Sequence, residues 1–320
     1  MEAGMEPTRP RTELLAPEVE MDNITTILDD TAVMHRLALR LPAGKITVLM
    51  GPSGVGKTTL IKHLVGLLEP SGGTVRFDGR DIWESTPAQW QDVRKGIGAM
   101  LGGSNLFTTS VFSSISVVEN LIYTLEAIGV PEDERYDIAM RQLRELNLDE
   151  MADQMPESLP AHAWKRVALA RALVTDAPLI VLDEIDVGLD QKHSEAMVNA
   201  VRKMHDRTGC TLLITTHTLE LAREMADRLA IMVNGRIVAV GSPMELLDGV
   251  KSSDDFDQRY EFSDQSGPPR LEEAQADADR RPLEPRQAAR GGRDRTMVTI
   301  AVIAIVLVIA LFVLLKLLPG

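Results

Sequence analysis

The sequence is short of cysteine, of positive charge, of internal repetition and of an apolar leader, and each shortage excludes something. A single cysteine, Cys210, rules out an internal disulfide or a thiolate metal cage and points to a reducing compartment. Lys and Arg number 34 against 47 Asp and Glu, a net charge of −13 that disfavours binding to nucleic acid phosphates. No short-period repeat is visible, so solenoids and propellers drop out. Residues 1–19 carry charges and prolines without an apolar core, which excludes a secretory signal or an anchor there and predicts a disordered lead-in.

What is there is 320 residues, 44% hydrophobic and 25% charged, enough for one large domain or two modest ones. From Glu20 to about Val250 strand-like and helical patterns alternate. The runs Ile46 to Met50, Thr74 to Phe77, Leu179 to Leu182 and Thr211 to Thr215 read as strands; Lys57 to Leu68 and Glu119 to Leu146 read as helical. That alternation predicts an α/β fold with a largely parallel central sheet. Asn234-Gly235, between two apolar runs, adds an antiparallel hairpin.

Residues 251–296 are mostly Asp, Glu, Gln, Ser, Pro and Arg, and are expected to be a flexible polar linker. A coil of that length, about 45 residues, has a root-mean-square reach of roughly 35–40 Å. Residues 297–318 are almost wholly apolar; as a helix they would extend about 33 Å, matching a hydrocarbon core of about 30 Å. Six arginines from Arg280 to Arg295 precede this segment and only Lys316 lies near its far end, so a membrane span is expected with everything before it in the cytoplasm.

The most specific motif is Gly51-Pro52-Ser53-Gly54-Val55-Gly56-Lys57-Thr58, followed by Thr59, between a predicted strand and a predicted helix. Its glycines let backbone N–H groups converge on nucleotide phosphates at a helix start. Lys57 is expected to reach the β- and γ-phosphates, and Thr58 to coordinate Mg²⁺. The run Leu179 to Leu182 ends in Asp183 and Glu184: Asp183 as a second Mg²⁺ ligand, Glu184 as the group that orients or deprotonates the attacking water.

With these two motifs and Leu212-Leu213-Ile214-Thr215-Thr216-His217 after them, the chain resembles the nucleotide-binding subunits of ABC transporters over about residues 20–250. The resemblance implies a P-loop ABC ATPase fold: a nucleotide-binding core, an antiparallel β-subdomain, and a helical subdomain at about 100–172. It implies ATP and Mg²⁺ as cofactors, hydrolysis of ATP, and work as a head-to-tail dimer with separate transmembrane permease subunits. His217 matches the family's switch histidine, which contacts the γ-phosphate, and Val187-Gly188-Leu189-Asp190 matches its D-loop.

Three positions depart from the family pattern. The signature LSGGQ aligns with Leu159-Pro160-Ala161-His162-Ala163, in which only the leucine is kept. Pro160 supplies neither the hydroxyl nor the N–H that the family's serine offers to the partner's γ-phosphate, and His162 adds bulk where a glycine stood. Gly102 stands at the Q-loop glutamine, and upstream of the P-loop only Ile27 and Leu28 stand where an adenine-stacking aromatic is expected. Because a signature segment serves the opposite subunit's nucleotide, these changes favour a heterodimer with a second ABC ATPase over a homodimer. A non-catalytic, nucleotide-sensing scaffold is the alternative. Gly102 to Leu125 is also similar to the matching stretch of ATPases serving MCE-type lipid transport systems.

Overall fold

The computed structural model describes residues 15–102, 111–186, 188–260 and 267–279. In chain order the strands are β1 (Val19–Leu28), β2 (Thr31–Leu41), β3 (Ile46–Met50), β4 (Gly72–Phe77), β5 (Arg80–Asp81), β6 (Ile97–Met100), β7 (Leu179–Asp183), β8 (Thr211–Thr216), β9 (Arg228–Val233) and β10 (Arg236–Gly241). The helices are α1 (Lys57–Leu64), α2 (Pro87–Lys95), α3 (Val117–Ala127), α4 (Glu132–Glu145), α5 (Ala161–Leu173), α6 (Gln191–Thr208), α7 (Leu219–Met225), α8 (Pro243–Leu246), α9 (Ser253–Tyr260) and α10 (Leu271–Asp279).

Two sheets result. One is antiparallel, in the order β2-β1-β4-β5; the other runs β10-β9-β3-β8-β7-β6, parallel except for the β9/β10 hairpin at Asn234-Gly235. The parallel strands are apolar along their whole length because both of their faces are covered. Their alternate residues divide between two cores. Val48, Met50, Ile180, Leu182, Leu212 and Ile214 face the core shared with α3 to α7. Leu49, Leu179, Val181, Leu213 and Ala230 face the antiparallel sheet and α1.

Local chemistry sets the helix ends. α1, predicted to reach Leu68, stops at Leu64, because Gly66 turns left-handed (φ 68°) at a point where a Cβ would lie 2.0 Å from the Trp90 ring. The Glu119 to Leu146 pattern is two helices, separated at Gly129 and Pro131. Ser116 caps α3 reciprocally with Glu119. Buried Asn120 holds the turn before it, donating to the carbonyls of Phe112, Ile115 and Ser116 and accepting from Phe112 N. Arg166 ties α5 to the end of α4 through the carbonyls of Leu146 and Asn147.

Two sequence expectations need correction. The lead-in is ordered at its end: Pro17 is buried and its carbonyl accepts from the Thr211 hydroxyl at 2.7 Å, while Val19 already pairs with Leu41 and Phe77. The polar stretch from 251 carries two helices. Ser252 and Asp255 cap each other at the start of α9, which buries Phe256 and Tyr260, and the Tyr260 hydroxyl donates to Leu246 O. α10 buries Ala274 completely, and Asp277 accepts from Arg36 (2.6 and 2.8 Å) and lies 2.7 Å from His35 Nε2. A few well-placed anchors outweigh a polar average composition. Residues 280–296 and the apolar run 297–318 lie outside the described residues; among the described residues no helix is long and apolar enough to cross a membrane.

Candidate functional site

The site lies where β3, β7 and β8 end together. β3 delivers the chain at Met50 into the glycine-rich loop, and α1 begins at Lys57 with Gly56 as its N-cap, at φ 109°. That backbone suits glycine and turns the first-turn amides of α1 toward the loop's interior. Gly51 is required for another reason: a Cβ there would sit 2.2 Å from Met232 O of β9. Pro52, Ser53, Gly54 and Val55 carry the loop over the strand end, and Thr59 is half-buried on α1.

Lys57 is 4% exposed, and its ammonium donates to Gly51 O (2.8 Å) and Pro52 O (2.9 Å), with Glu184 Oε1 at 4.0 Å. Burial pulls its pKa down, opposed by the charges of Glu184, Asp183 and Asp186. Asp183, at the end of β7, is fully buried and multiply held. Its Oδ2 accepts from the Thr58 hydroxyl at 2.7 Å and from Gly102 N at 3.2 Å, and its Oδ1 accepts from the Thr215 hydroxyl at 2.5 Å. Glu184 follows in a left-handed conformation, φ 52°, its amide donating to Thr215 O and to Thr215 Oγ1. Such a backbone persists only where the surroundings fix it, here leaving the carboxylate partly exposed toward Lys57.

The P-loop residues, Asp183 and Glu184 are therefore brought together as the sequence suggests. His217 is exposed directly after β8, and among the described residues no hydrogen bond joins it to Glu184 or Lys57. Sequence reasoning passed over Thr215 and Thr216, whose hydroxyls hold Asp183 and Asp186, and over the backbone N–H of Gly102. The signal was the Thr-Thr pair just before His217. It also passed over Asp186, 9% exposed, whose Oδ2 accepts from the Thr216 hydroxyl at 2.7 Å.

The departures from the family pattern have structural places. Pro160 is the N-cap of α5 at φ −65°, and its carbonyl starts the helix by accepting from Ala163 N and Trp164 N. A helix thus begins at the signature position although the side chains differ. His162 stacks on His193, ring centroids 4.3 Å apart, and His193 Nδ1 lies 2.8 Å from both oxygens of Asp190, the N-cap of α6. Gly102 packs against the Asp183 carboxylate, while Val187 and residues 103–107, the rest of the Q-loop segment, lie outside the described residues. Leu28, at the expected adenine position, is 37% exposed at the end of β1.

The cradle of amides, a lysine within it, and a hydroxyl and carboxylate 2.7 Å apart form a donor set that fits a nucleoside triphosphate carrying Mg²⁺. Fold and site together define a P-loop nucleotide-binding domain. The ABC transporter family model matches residues 34–186. An ABC transporter ATP-binding protein of Methanopyrus kandleri is 32% identical over 222 residues, 69% of this chain and 80% of that protein. The intermembrane phospholipid transport system ATP-binding protein of Haemophilus influenzae is 32% identical over 230 residues, 72% of this chain and 85% of that one. Among solved structures, a dimeric ATP-binding cassette in a post-hydrolysis state with ADP and phosphate superposes with a TM-score of 0.64 at 24% identity, covering 70% of this chain and 98% of the other. The chain belongs to the ABC transporter family: it is an ATP-binding subunit that uses Mg²⁺ and hydrolyses ATP.

Proposed function

We propose that this chain is the motor subunit of a membrane transporter, closing as a dimer on ATP and reopening on hydrolysis beneath separate permease subunits. The observation that carries this reading is the convergence of Lys57, Thr58, Asp183 and Glu184 on one loop, with Asp183 already bonded to the Thr58 hydroxyl. Thr58 and Asp183 would hold Mg²⁺, which when bound neutralises charge on the transferring phosphoryl group. Lys57, 2.8–2.9 Å from two loop carbonyls, exchanges them for β- and γ-phosphate oxygens. Glu184 accepts the proton of the attacking water, and His217, one residue past Thr216, reaches the γ-phosphate in the closed dimer. Glu184→Gln is the test. Hydrolysis should fall by about 10²–10⁴-fold with ATP binding retained; unchanged hydrolysis and unchanged function in cells would instead support a nucleotide-sensing scaffold.

The altered signature supports a heterodimer in which a second ABC ATPase supplies the intact segment. Pro160 has no N–H or hydroxyl to offer, and the stacked His162 and His193 rings fill space beside the start of α5. In the reconstituted complex, Pro160→Ser with Ala161→Gly and His162→Gly should raise turnover at the partner's site. No change there would argue for a homodimer. A lipid or other hydrophobic cargo is supported by the relative named for intermembrane phospholipid transport and by the similarity of Gly102 to Leu125 to MCE-type ATPases. Residues 297–318 are the proposed single membrane span, with the nucleotide domain on the cytoplasmic side, supported by the apolar run and the arginines before it.

A further inference from the structure

We propose that residues 267–279 form a regulatory strap: α10 docked on β2 and nucleotide bound at the P-loop favour one another through a bulge at His35-Arg36. The inference needs only ATP binding at the P-loop and does not rest on the transport reading.

One short stretch of β2, residues 33–36, faces both partners. On the nucleotide side, a Cβ on Gly56, the N-cap of α1, would lie 3.4 Å from Val33 Cγ1 and 3.8 Å from Met34 Cγ, and Val55 of the loop packs against the same apolar core as Val33. On the other side, the next two residues hold α10. The Arg36 guanidinium donates to both Asp277 oxygens, at 2.6 and 2.8 Å; buried His35 has Nε2 2.7 Å from Asp277 Oδ2 and Nδ1 4.0 Å from Glu273 Oε2. An extra residue makes this receptor. Between the pairs Ile24/Leu37 and Thr26/Met34, β2 takes three steps where β1 takes two, and Arg36 stands in the left-handed region at φ 52°. A bulge re-aims side chains, here through a backbone that an arginine seldom adopts unless its surroundings fix it. Two contacts do so: Arg36 N donates to Thr25 Oγ1 at 3.3 Å, and Asp277 clamps the side chain. The start of the strap touches the same stretch again. Gly235, in the β9/β10 turn, lies between Pro269 and Val33: a Cβ there would be 3.1 Å from Pro269 Cγ and 2.2 Å from Val33 O.

These contacts define two arrangements. With α10 docked, Asp277 holds Arg36 left-handed, and β2 keeps the register that sets Val33 and Met34 against Gly56. With α10 released, Arg36 leaves that conformation, the extra residue is taken up elsewhere along β2, and the wall beside the P-loop shifts. The docking is suited to reversal: Arg36 lines an open groove of about 610 Å³ between β2 and β10, and its side chain is 58% exposed. An ion pair with so exposed a partner adds little to stability by itself. Nucleotide that steadies the Gly56 wall therefore favours docking, and docking favours nucleotide by the same factor.

The test is calorimetric binding of the Mg²⁺ complex of the β,γ-imido analogue of ATP to the full-length chain, beside amide exchange over 271–279. The analogue is not hydrolysed, so the result is independent of the roles assigned to Glu184 and to a partner subunit. Asp277→Ala should speed that exchange and weaken nucleotide binding by about fivefold or more. In the unaltered chain, saturating nucleotide should slow exchange over 271–279 by the same factor. Arg36→Gly added to Asp277→Ala should restore most of the lost affinity while exchange stays fast, because glycine keeps the left-handed backbone without strain. A chain that was only destabilised would not be rescued by losing its second anchor. Should Asp277→Ala leave exchange unchanged or not accumulate as folded protein, Ala274→Arg with and without Arg36→Gly decides by the same comparison. Release of α10 with unchanged nucleotide affinity would overturn the proposal, as would no rescue by Arg36→Gly or exchange over 271–279 that is indifferent to nucleotide.

Discussion

Gly102 shows why one residue's identity cannot be read apart from its surroundings. As a sequence letter it is a missing glutamine; in the structure its amide donates to Asp183 Oδ2, and a Cβ would sit 2.9 Å from that oxygen and 3.1 Å from the Asp183 carbonyl. Asp183 has no room to yield, since Thr58 and Thr215 hold its other bonding directions. Gly102→Ala should therefore cost about 1–3 kcal/mol of stability at the proposed Mg²⁺ site through overpacking, read as a rise of about fivefold or more in the Mg²⁺ concentration that half-saturates hydrolysis. A return to glutamine is expected to harm this site as well. The P-loop and the Asp183-Glu184 pair were legible because their chemistry is carried by contiguous residues. Thr215, Thr216 and Asp186 were not, because each acquires its meaning from a partner far along the chain.

A second residue-scale expectation concerns His63, buried at the end of α1. Its Nδ1 lies 2.6 Å from Leu68 O, which only accepts, so Nδ1 carries the proton and Nε2 accepts from the Thr26 hydroxyl at 2.7 Å. Burial keeps the ring neutral and its pKa below the ordinary 6.5. The unfolded chain therefore takes up this proton first as pH falls. The stability His63 contributes is complete above about pH 6.5 and is lost below it, at up to about 1.4 kcal/mol per pH unit until the folded ring also titrates. Urea unfolding at pH 7.5 and 5.5 should show that loss, and it should shrink in His63→Gln.

At the scale of elements, the two sheets were foreseeable and the C-terminal helices were not. Strands β3, β7 and β8 announce themselves by unbroken apolar runs, because a parallel strand is covered on both faces. α9 and α10 bury only Phe256, Tyr260 and Ala274 among many polar residues, a density too low for periodicity to register. Their docking depends on specific contacts, above all the Asp277 carboxylate, which the Arg36 guanidinium and His35 hold far below the usual carboxylate range. Ala274→Arg should release α10 at a cost of about 1–3 kcal/mol from overpacking. Amide exchange should then accelerate over 271–279 and along β2 near His35 while β3, β7 and β8 stay protected. Equal exchange in all elements would mean that α10 is part of the domain's cooperative unit.

At the scale of the molecule, ligand linkage offers a check that is independent of turnover. A ligand that binds only the folded state adds about 2.7 kcal/mol at a hundred times its Kd, so Mg²⁺-ATP should raise the Tm of the Glu184→Gln chain by several degrees. Lys57→Ala, which removes the proposed phosphate contact, should abolish most of that rise. The docking of α10 also resets a length. With helix to Asp279, the covalent path to the proposed membrane span is residues 280–296, not the whole stretch from 251. Even pulled straight, a strand of about 17 residues covers only about 60 Å. If residues 297–318 do span a membrane as proposed, a motor moored by so short a line would spend its time in a thin layer next to the bilayer, and how often it met a permease would be set by the length of its own chain more than by how much of it the cell makes.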